Sequence, residues 1–296
     1  MHQYGSIVDG DWHSKDVPCA VSLKNQLINV YYANEDSLLT CRRFAGTRFN
    51  GAALLDQFGC RSPGAGILQG TPYVAFEHFD GSHMRIMRWD GSPSSSNTPD
   101  NVVIQYHVGS SGIPAIADML GKPTIVHQGS GDNGETWYIR ANGGQTGSFT
   151  WSDDTILPHT GMSGSPSIFS DSSGYYSWIF HEGGNNNGEL WCNGWTSANE
   201  WTGDIKVNIP YPIKSPKVVL YLGRPLLIWQ GAKDWLFFAY LKRSHLDWSI
   251  DGSTILEQKI DFTVAEYGFT AAVAQDTVYV FARIAESAIY RCWFGE

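Results

Sequence analysis

One segment occurs twice in the middle of the chain, and this duplication constrains the fold more than any single residue. Residues 112–138 and residues 164–192 share a Gly-rich step, a proline, an apolar run, a polar triplet and a later tryptophan. The triplets are His-Gln-Gly at 127–129 and His-Glu-Gly at 181–183. A repeated supersecondary unit cannot bury its apolar face alone, so such units must stack on one another.

The repeat extends along the whole chain with a period near fifty. Apolar runs follow markers spaced 45 to 52 residues apart, at Pro18, Pro63, Pro114, Pro166, Pro216 and Gly268. Short apolar or alternating runs separated by Gly, Asn, Asp and Ser are typical of strands and turns. Because one four-stranded propeller blade takes roughly 40 to 50 residues, the spacing predicts an all-β, six-bladed β-propeller of four-stranded antiparallel blades.

The sixth blade reaches the end of the sequence before it can form a fourth strand. Tyr4 lies 14 residues before Pro18 (18 − 4 = 14), the spacing that precedes other blades, and a short apolar run follows it. We therefore expect residues 4–8 to pair beside residues 289–291 and to close the ring, which removes two exposed sheet edges.

The even spacing predicts a single domain, 1–296, without a linker. The expected blades span approximately 17–55, 62–108, 113–158, 165–209, 215–256 and 268–296, with 1–10 as the closing strand. The Ser/Pro-rich stretch 92–100 then falls inside the second blade as a long hairpin loop.

Charge and cysteine content restrict the partners and the compartment. The net charge is −9, which disfavours nucleic acid and anionic membranes. No apolar stretch approaches the roughly 18 residues of a membrane span, and the first residues lack the pattern of a signal peptide. The five cysteines lie outside CxxC motifs, so we expect reduced thiols and cytoplasmic synthesis, with release by a non-classical route left open.

Polar residues end the second strands, and tryptophans open the third strands. An indole can cover the apolar face of a sugar, while amides and imidazoles match its hydroxyl groups. The predicted ligand-binding residues are His127, Gln128, Asp132, Trp137, His181, Glu182, Asn186, Trp191, Gln230 and Trp235. Two structural interpretations stay open: the histidines fasten the hairpins, and the tryptophans fill the space between blades.

No catalytic, metal or cofactor site is predicted. The carboxylates of Glu77, Asp132, Glu135 and Glu182 recur across blades, whereas a glycosidase needs one unique pair. Residues 130–137 match the Asp-box pattern, which stabilises a turn and carries no catalysis. We find no Ser-His-Asp signature, phosphate loop, EF-hand loop or HExxH motif, although backbone carbonyls of a central channel could still hold an ion.

Residues 127–138 and 160–167 resemble the blade consensus of bacterial propeller lectins of the Photorhabdus type, a fucose-binding family. Blades three and four carry the motif well, and blade five keeps Trp229-Gln230-Gly231. The resemblance implies a sugar-binding propeller that recognises fucose or related residues in clefts between blades. Known members have seven blades, whereas this chain counts to six.

The expected function is thus a non-catalytic lectin that binds glycans or glycoconjugates, fucosylated ones among them, in clefts between blades. The sequence leaves the sugar and the oligomeric state open. Two alternatives stay open as well: a protein-interaction or toxin-associated binding propeller, and a glycoside hydrolase.

Overall fold

The structure, a computed structural model, describes residues 2–24, 27–45, 48–49, 52–56, 59–81, 83–89, 101–106, 110–144, 149–170, 176–231, 235–251, 255–259, 268–283 and 288–295. The described residues form β-strands and two single-turn 3-10 helices, so the protein is all-β, as predicted. Within these ranges, no helix has the length and apolar character needed to cross a membrane.

The strands are numbered in chain order. They are β1 (His2–His13), β2 (Cys19–Ser22), β3 (Ile28–Ala33), β4 (Leu39–Ala45), β5 (Arg48–Phe49), β6 (Ala53–Asp56), β7 (Cys60–Leu68), β8 (Thr71–His78), β9 (His83–Arg88), β10 (Asn101–Tyr106), β11 (Ser110–Met119), β12 (Lys122–Gly129), β13 (Glu135–Gly143), β14 (Thr150–Trp151), β15 (Thr155–Ser170), β16 (Tyr176–Gly183), β17 (Leu190–Thr196), β18 (Trp201–Val207), β19 (Lys214–Tyr221), β20 (Arg224–Gln230), β21 (Trp235–Ser244), β22 (Asp247–Ile250), β23 (Leu256–Lys259), β24 (Phe269–Ala274), β25 (Thr277–Arg283) and β26 (Ala288–Gly295). The 3-10 helices are η1 (Ser130–Asp132) and η2 (Gly184–Asn186).

These strands form sheets that follow the sequence repeat. We define unit one as β2 to β6, unit two as β7 to β10, and unit three as β11 to the first part of β15. Unit four runs from the second part of β15 to β18, unit five is β19 to β23, and unit six is β24 to β26 with β1. Within each unit, the strands that pair with one another are antiparallel.

The N-terminal strand β1 pairs antiparallel with β26, the last strand of the chain. Ile7 lies opposite Arg291 and Val8 opposite Tyr290, in the place that the sequence predicts for residues 4–8. One sheet therefore contains strands from both ends of the chain.

The prediction of separate four-stranded blades is too simple at two places. The 16-residue strand β15 first pairs with β13 and then with β16, so units three and four share one eight-stranded sheet. The strand continues through this crossing with left-handed backbone at His159 and Gly164 and with a register shift between Ser163 and Ser167. In units one, three and five, the third strand of the unit, β4, β13 or β21, pairs with two further strands in place of one.

Hydrogen bonds that involve side chains connect consecutive units. The donor and acceptor pairs are Ser62 N to Asp16 Oδ2 (3.0 Å), Gln69 N to Asp118 Oδ2 (2.6 Å), Ile113 N to Ser165 Oγ (2.8 Å), Val218 N to Ser167 Oγ (2.9 Å), Tyr221 Oη to Asp276 O (3.2 Å) and Ala20 N to Thr270 Oγ1 (3.3 Å). In this order the bonds join the segment before β2 to unit two, unit two to three, three to four, four to five, five to six, and six to one. A backbone bond from Cys60 N to Ser37 O (2.6 Å) joins units one and two directly. Each hydrogen bond satisfies a polar group at a place where two units meet.

The first strands of the units approach one another around a cavity of about 140 Å³. Its lining comes from segments 18–20, 64–65, 113–116, 166–168, 217–219 and 270–271. The approach is closest at Gly64 and Gly66, where an added Cβ would lie 1.8 Å from the carbonyl oxygens of Pro114 and Ile116. Only glycine fits at these two positions, because any side chain would overlap backbone atoms of unit three.

The apolar core of the described residues is divided among the interfaces between units. One cluster joins Tyr73 and Ala75 of unit two to Ile125 and Ile139 of unit three. The next joins Val126 of unit three to side chains of unit four. Since alternate residues of a strand point to opposite faces, each unit contributes one face to each of two interfaces.

Candidate functional site

The hairpin between β12 and β13 is held by a group of polar side chains. Asn133 Oδ1 accepts a hydrogen bond from the backbone N–H of Glu135 (2.9 Å), and Asn133 Nδ2 donates to Glu135 Oε2 (2.7 Å). The indole N–H of Trp137 donates to the same carboxylate oxygen (3.2 Å). The half-buried indole is therefore fixed by an acidic residue that the sequence analysis did not assign to the site.

The hairpin between β16 and β17 repeats this arrangement. Asn187 Oδ1 accepts from the N–H of Glu189 (2.9 Å), and Asn187 Nδ2 donates to Glu189 Oε2 (3.2 Å). The indole of Trp191 donates to that oxygen at 3.3 Å. Glu135 and Glu189 are 54 residues apart, as are Trp137 and Trp191, so the period alone could have identified both carboxylates.

The two predicted histidines are buried, and the protein itself contacts both of their ring nitrogens. His127, 1 % exposed, places Nδ1 3.0 Å from the carbonyl oxygen of Gln128 and Nε2 3.2 Å from Asp154 Oδ1. His181 makes the equivalent contacts with Glu182 O (3.0 Å) and Asp204 Oδ1 (3.3 Å). These contacts favour the interpretation that the histidines fasten the hairpins.

The aspartates of these contacts were missed in the sequence, although their spacing carries a signal. Asp154 lies 12 residues before Pro166, and Asp204 lies 12 residues before Pro216. Each aspartate precedes the proline marker of the next unit by the same distance, which indicates a repeated structural position.

Residues of one hairpin point into two different interfaces. Trp137 lies directly opposite His127 on one side and Ile156 on the other, so these three side chains share the face that packs on unit two. Gln128 points the opposite way, and its Oε1 accepts a hydrogen bond from the N–H of Gly164 in unit four (2.8 Å). The predicted residues of one hairpin therefore divide between two interfaces, and each interface combines residues of neighbouring units.

Two clefts result from this division. The 2/3 cleft combines Glu77 of unit two with His127, Trp137, Asp154 and Ile156 of unit three. The 3/4 cleft combines Gln128 of unit three with His181, Trp191, Asp204 and Lys206 of unit four.

Glu77 occupies the position of Gln128 one unit earlier. Burial raises the pKa of its carboxyl group, and the N–H of Ser110 at 3.4 Å and the nearby Arg61 partly offset this effect. Glu77 follows Tyr73 and Ala75 on the face of β8 that packs on unit three, the same interface that His127 faces.

The two clefts differ in the residue beside the indole. Ile156, 44 % exposed, lies opposite Trp137, whereas Lys206 lies opposite Trp191 and forms an ion pair with Glu189. The hydrogen bond from Lys206 is the main cause of a lowered pKa at Glu189. The 2/3 cleft thus offers an apolar surface where the 3/4 cleft offers a charged pair.

The interface between units four and five is filled by aromatic rings. Trp229 takes the position of the histidine, Phe237 lies opposite it, and their rings stack at 5.2 Å. Glu182, 4 % exposed, faces this interface, and its Oε1 has no hydrogen-bond partner among the described residues. Burial raises the pKa of Glu182, against the opposing effects of the Gly188 N–H and Lys214.

The other predicted residues lie around these positions. Gln230 is buried at the end of β20, and the half-buried Trp235 packs against the core between units four and five. Asn186 is exposed in η2, and its backbone N–H donates to Ser163 Oγ at 2.9 Å. The backbone of Asp132 lies in η1, but its side chain is outside the described residues.

No family model and no curated protein matches the chain. Solved structures, by contrast, match the chain over nearly its whole length. AofleA from Arthrobotrys oligospora is 14 % identical, with a TM-score of 0.67 over 98 % of this chain and 86 % of that chain. Aleuria aurantia lectin, solved in complex with Fucα1-6GlcNAc, is 14 % identical, with a TM-score of 0.65 over 94 % and 91 % of the two chains. A leech intramolecular trans-sialidase is 7 % identical, with a TM-score of 0.64 over 100 % of this chain and 70 % of that chain.

At these identities the likeness concerns the fold and not the activity. It agrees with the repeat of antiparallel units and with the core divided among their interfaces. The chain therefore has a β-propeller fold.

Proposed function

We propose that the six units form a closed, six-bladed ring and that β1 completes the sixth blade. Three observations support this arrangement. Hydrogen bonds connect each unit to the next and unit six to unit one. Segments of six first strands line one cavity, and β1 pairs with β26. A closed ring leaves only short, protected sheet edges and fixes the width of every cleft between blades.

We propose that this protein is a lectin that binds sugars in the 2/3 and 3/4 clefts. The duplicated hairpin carries the proposal, since it fixes an indole beside a carboxylate and an amide at two successive interfaces. A sugar needs one apolar plate and several polar partners, and each cleft supplies both. The Aleuria aurantia lectin, solved with a fucose-containing disaccharide, supports this ligand class.

Each cleft would divide the recognition among its side chains. The indole of Trp137 or Trp191 covers the apolar face of the sugar ring, and the carboxylate of Glu135 or Glu189 accepts hydrogen bonds from hydroxyl groups. Ile156 in the 2/3 cleft suits a methyl group, such as the one that a 6-deoxy sugar carries in place of a hydroxymethyl group. We therefore assign fucose-like sugars to the 2/3 cleft first, in line with the Photorhabdus-type blade motif.

Two arginines on the third strands of their units, Arg140 in β13 and Arg291 in β26, contact aromatic rings of the next unit. The guanidinium of Arg140 lies 3.9 Å from the ring centre of Trp195, and that of Arg291 lies 4.6 Å from the ring centre of Phe44. Both arginines thus bridge neighbouring units through cation–π contacts. Since a sialidase needs an arginine cluster around its substrate carboxylate, this placement favours a non-catalytic protein over a glycoside hydrolase.

The test is a glycan array on the purified protein, followed by calorimetric titration with methyl α-L-fucoside. We expect a confined set of fucosylated ligands and up to two sites per chain. Trp137→Ala should remove the site in the 2/3 cleft or weaken it about 10-fold, the equivalent of about 1.4 kcal/mol for a lost aromatic contact. Trp191→Ala should act in the same way on the 3/4 cleft.

The matched control is Phe79→Ala, since Phe79 is 50 % exposed and belongs to a different hairpin. All variants should keep the circular dichroism spectrum of the parent protein. A blank array together with no heat on titration would refute the lectin proposal and leave the protein-interaction propeller as the better hypothesis.

A further inference from the structure

The hairpin between β8 and β9 carries two histidines in facing positions. Glu77 pairs with Met84, so His78 and His83 are the next pair of the same antiparallel register. Residues directly opposite each other on neighbouring strands project to the same face, with Cβ atoms about 5 Å apart. The two imidazole rings accordingly lie 4.6 Å apart, centre to centre.

A turn brings a carboxylate to this pair. The N–H of Gly81 donates to the carbonyl oxygen of His78 (2.9 Å), which closes the turn over residues 78–81 and places Asp80 at its tip. Asp80 Oδ1 lies 2.7 Å from His78 Nδ1. Donor and acceptor atoms of His78, Asp80 and His83 all lie within 4.8 Å of one another.

The burial of His78 sets this cluster apart from an ordinary group of surface side chains. His78 is 8 % exposed, and its Nδ1 is buried without a hydrogen bond of normal geometry, despite the short distance to Asp80. Asp80 is exposed and His83 is half-buried, so the cluster opens to solvent on one side. The hairpins of units three and four use Asn and Glu at the corresponding turn, so the repeat does not explain these histidines.

We propose that His78, Asp80 and His83 form a binding site for a divalent transition-metal ion, with Zn²⁺ as the best chemical match. Two imidazole nitrogens and one carboxylate oxygen are the protein ligands that open zinc sites use, with a solvent molecule in the remaining position. Ions such as Ca²⁺ and Mg²⁺ prefer sets made of oxygen atoms only. The site is independent of the proposed sugar clefts.

Binding of a zinc ion requires a small rearrangement of the half-buried His83. Ligand atoms of one tetrahedral zinc ion lie roughly 3.4 Å apart, given bonds of about 2.1 Å. The ring of His83 must therefore turn out of its stacked position toward His78 and Asp80. Arg85 Nε donates to His83 Nε2 at 3.0 Å, and a metal ion would compete with this hydrogen bond. The positive charge of Arg85 makes the site weaker than a closed structural zinc site.

The test uses untagged full-length protein treated with a chelator and then titrated with Zn²⁺ by calorimetry. Co²⁺ serves as a spectroscopic probe, because its visible absorption reports nitrogen and oxygen ligands in a tetrahedral arrangement. We expect one ion per chain. His83→Asn and Asp80→Asn should each weaken Zn²⁺ binding by at least about 10-fold. This is the smallest loss typical for residues that only hydrogen-bond to a metal ligand, and a lost ligand should cost no less.

His245→Asn is the matched control, since His245 is exposed, lies in unit five and has a φ of 58° that asparagine tolerates. It should leave the affinity for Zn²⁺ unchanged. His83 and Asp80 are the test positions because neither is as buried as His78, so their variants should fold. Unchanged Zn²⁺ affinity in His83→Asn, or no binding up to millimolar Zn²⁺, would overturn the proposal.

Discussion

Replacing Gly66 by alanine should destabilise the protein strongly, although the change adds only one methyl group. Gly66 lies in β7, where unit two meets unit three beneath the 2/3 cleft. The new Cβ would lie 1.8 Å from the carbonyl oxygen of Ile116, whereas real Cβ atoms essentially never come closer than 3.0 Å. The two first strands would therefore have to separate by at least 1.2 Å (3.0 − 1.8).

The size of the effect follows from what blocks the new atom. The obstacle is a backbone carbonyl in a paired strand, which cannot rotate away as the end of a side chain can. Overpacking of a rigid core costs about 1 to 3 kcal/mol, and we expect about 3 kcal/mol here. For a chain of this length the loss corresponds to a fall in Tm of about 6 °C.

Urea unfolding followed by tryptophan fluorescence measures the loss, with thermal melts as a second readout. The control is Gly143→Ala, since a Cβ at Gly143 meets nothing within 4 Å and Gly143 lies at the end of a strand with an ordinary φ. That variant should be neutral or slightly stabilised, because alanine lowers the entropy of the unfolded chain. Equal stability of the two variants would refute the close packing of units two and three.

Two further predictions concern buried titratable groups. Burial in the folded state raises the pKa of Glu182, so its contribution to stability is full below the ordinary carboxyl value of 4.5 and is lost as the pH rises through the folded pKa. Glu182→Gln should therefore stabilise the protein at pH 8 more than at pH 5. Equal shifts of the urea midpoint at both pH values would contradict this prediction. The five cysteines are buried, and burial raises the thiol pKa of Cys41, Cys192 and Cys292. A thiol reagent should therefore label no cysteine in the native protein and all five in urea. Rapid labelling of the native protein would disprove this prediction.

The spacing of markers such as Pro114 and Pro166 was enough to predict the all-β fold and the place of β1. Equal spacing forces equal units, and a unit with an open edge needs a partner strand from elsewhere in the chain. The continuity of β15 was not predictable, because Pro158, Gly161 and Gly164 lie within it and such residues normally indicate a turn between two strands.

The sequence predicted candidate binding residues but did not show which of them face the same neighbouring unit. His127, Gln128 and Trp137 lie close together in the chain. The alternation of side chains along β12 instead sends Gln128 toward unit four and His127 toward unit two. This division depends on which face meets which neighbour, and that is a property of the assembled units.

The pairing of β1 with β26 also bears on how the protein is made. On the ribosome, β1 emerges long before its partner strand, which lies about 280 residues further along the chain (288 − 13 = 275 between the facing ends). Units one to five can acquire their internal strand pairs during translation, while β1 stays without its partner until translation has passed β26. Such a long-range contact slows the last folding step and leaves a strand edge exposed to neighbouring chains, so chaperone binding during synthesis should concentrate on this segment.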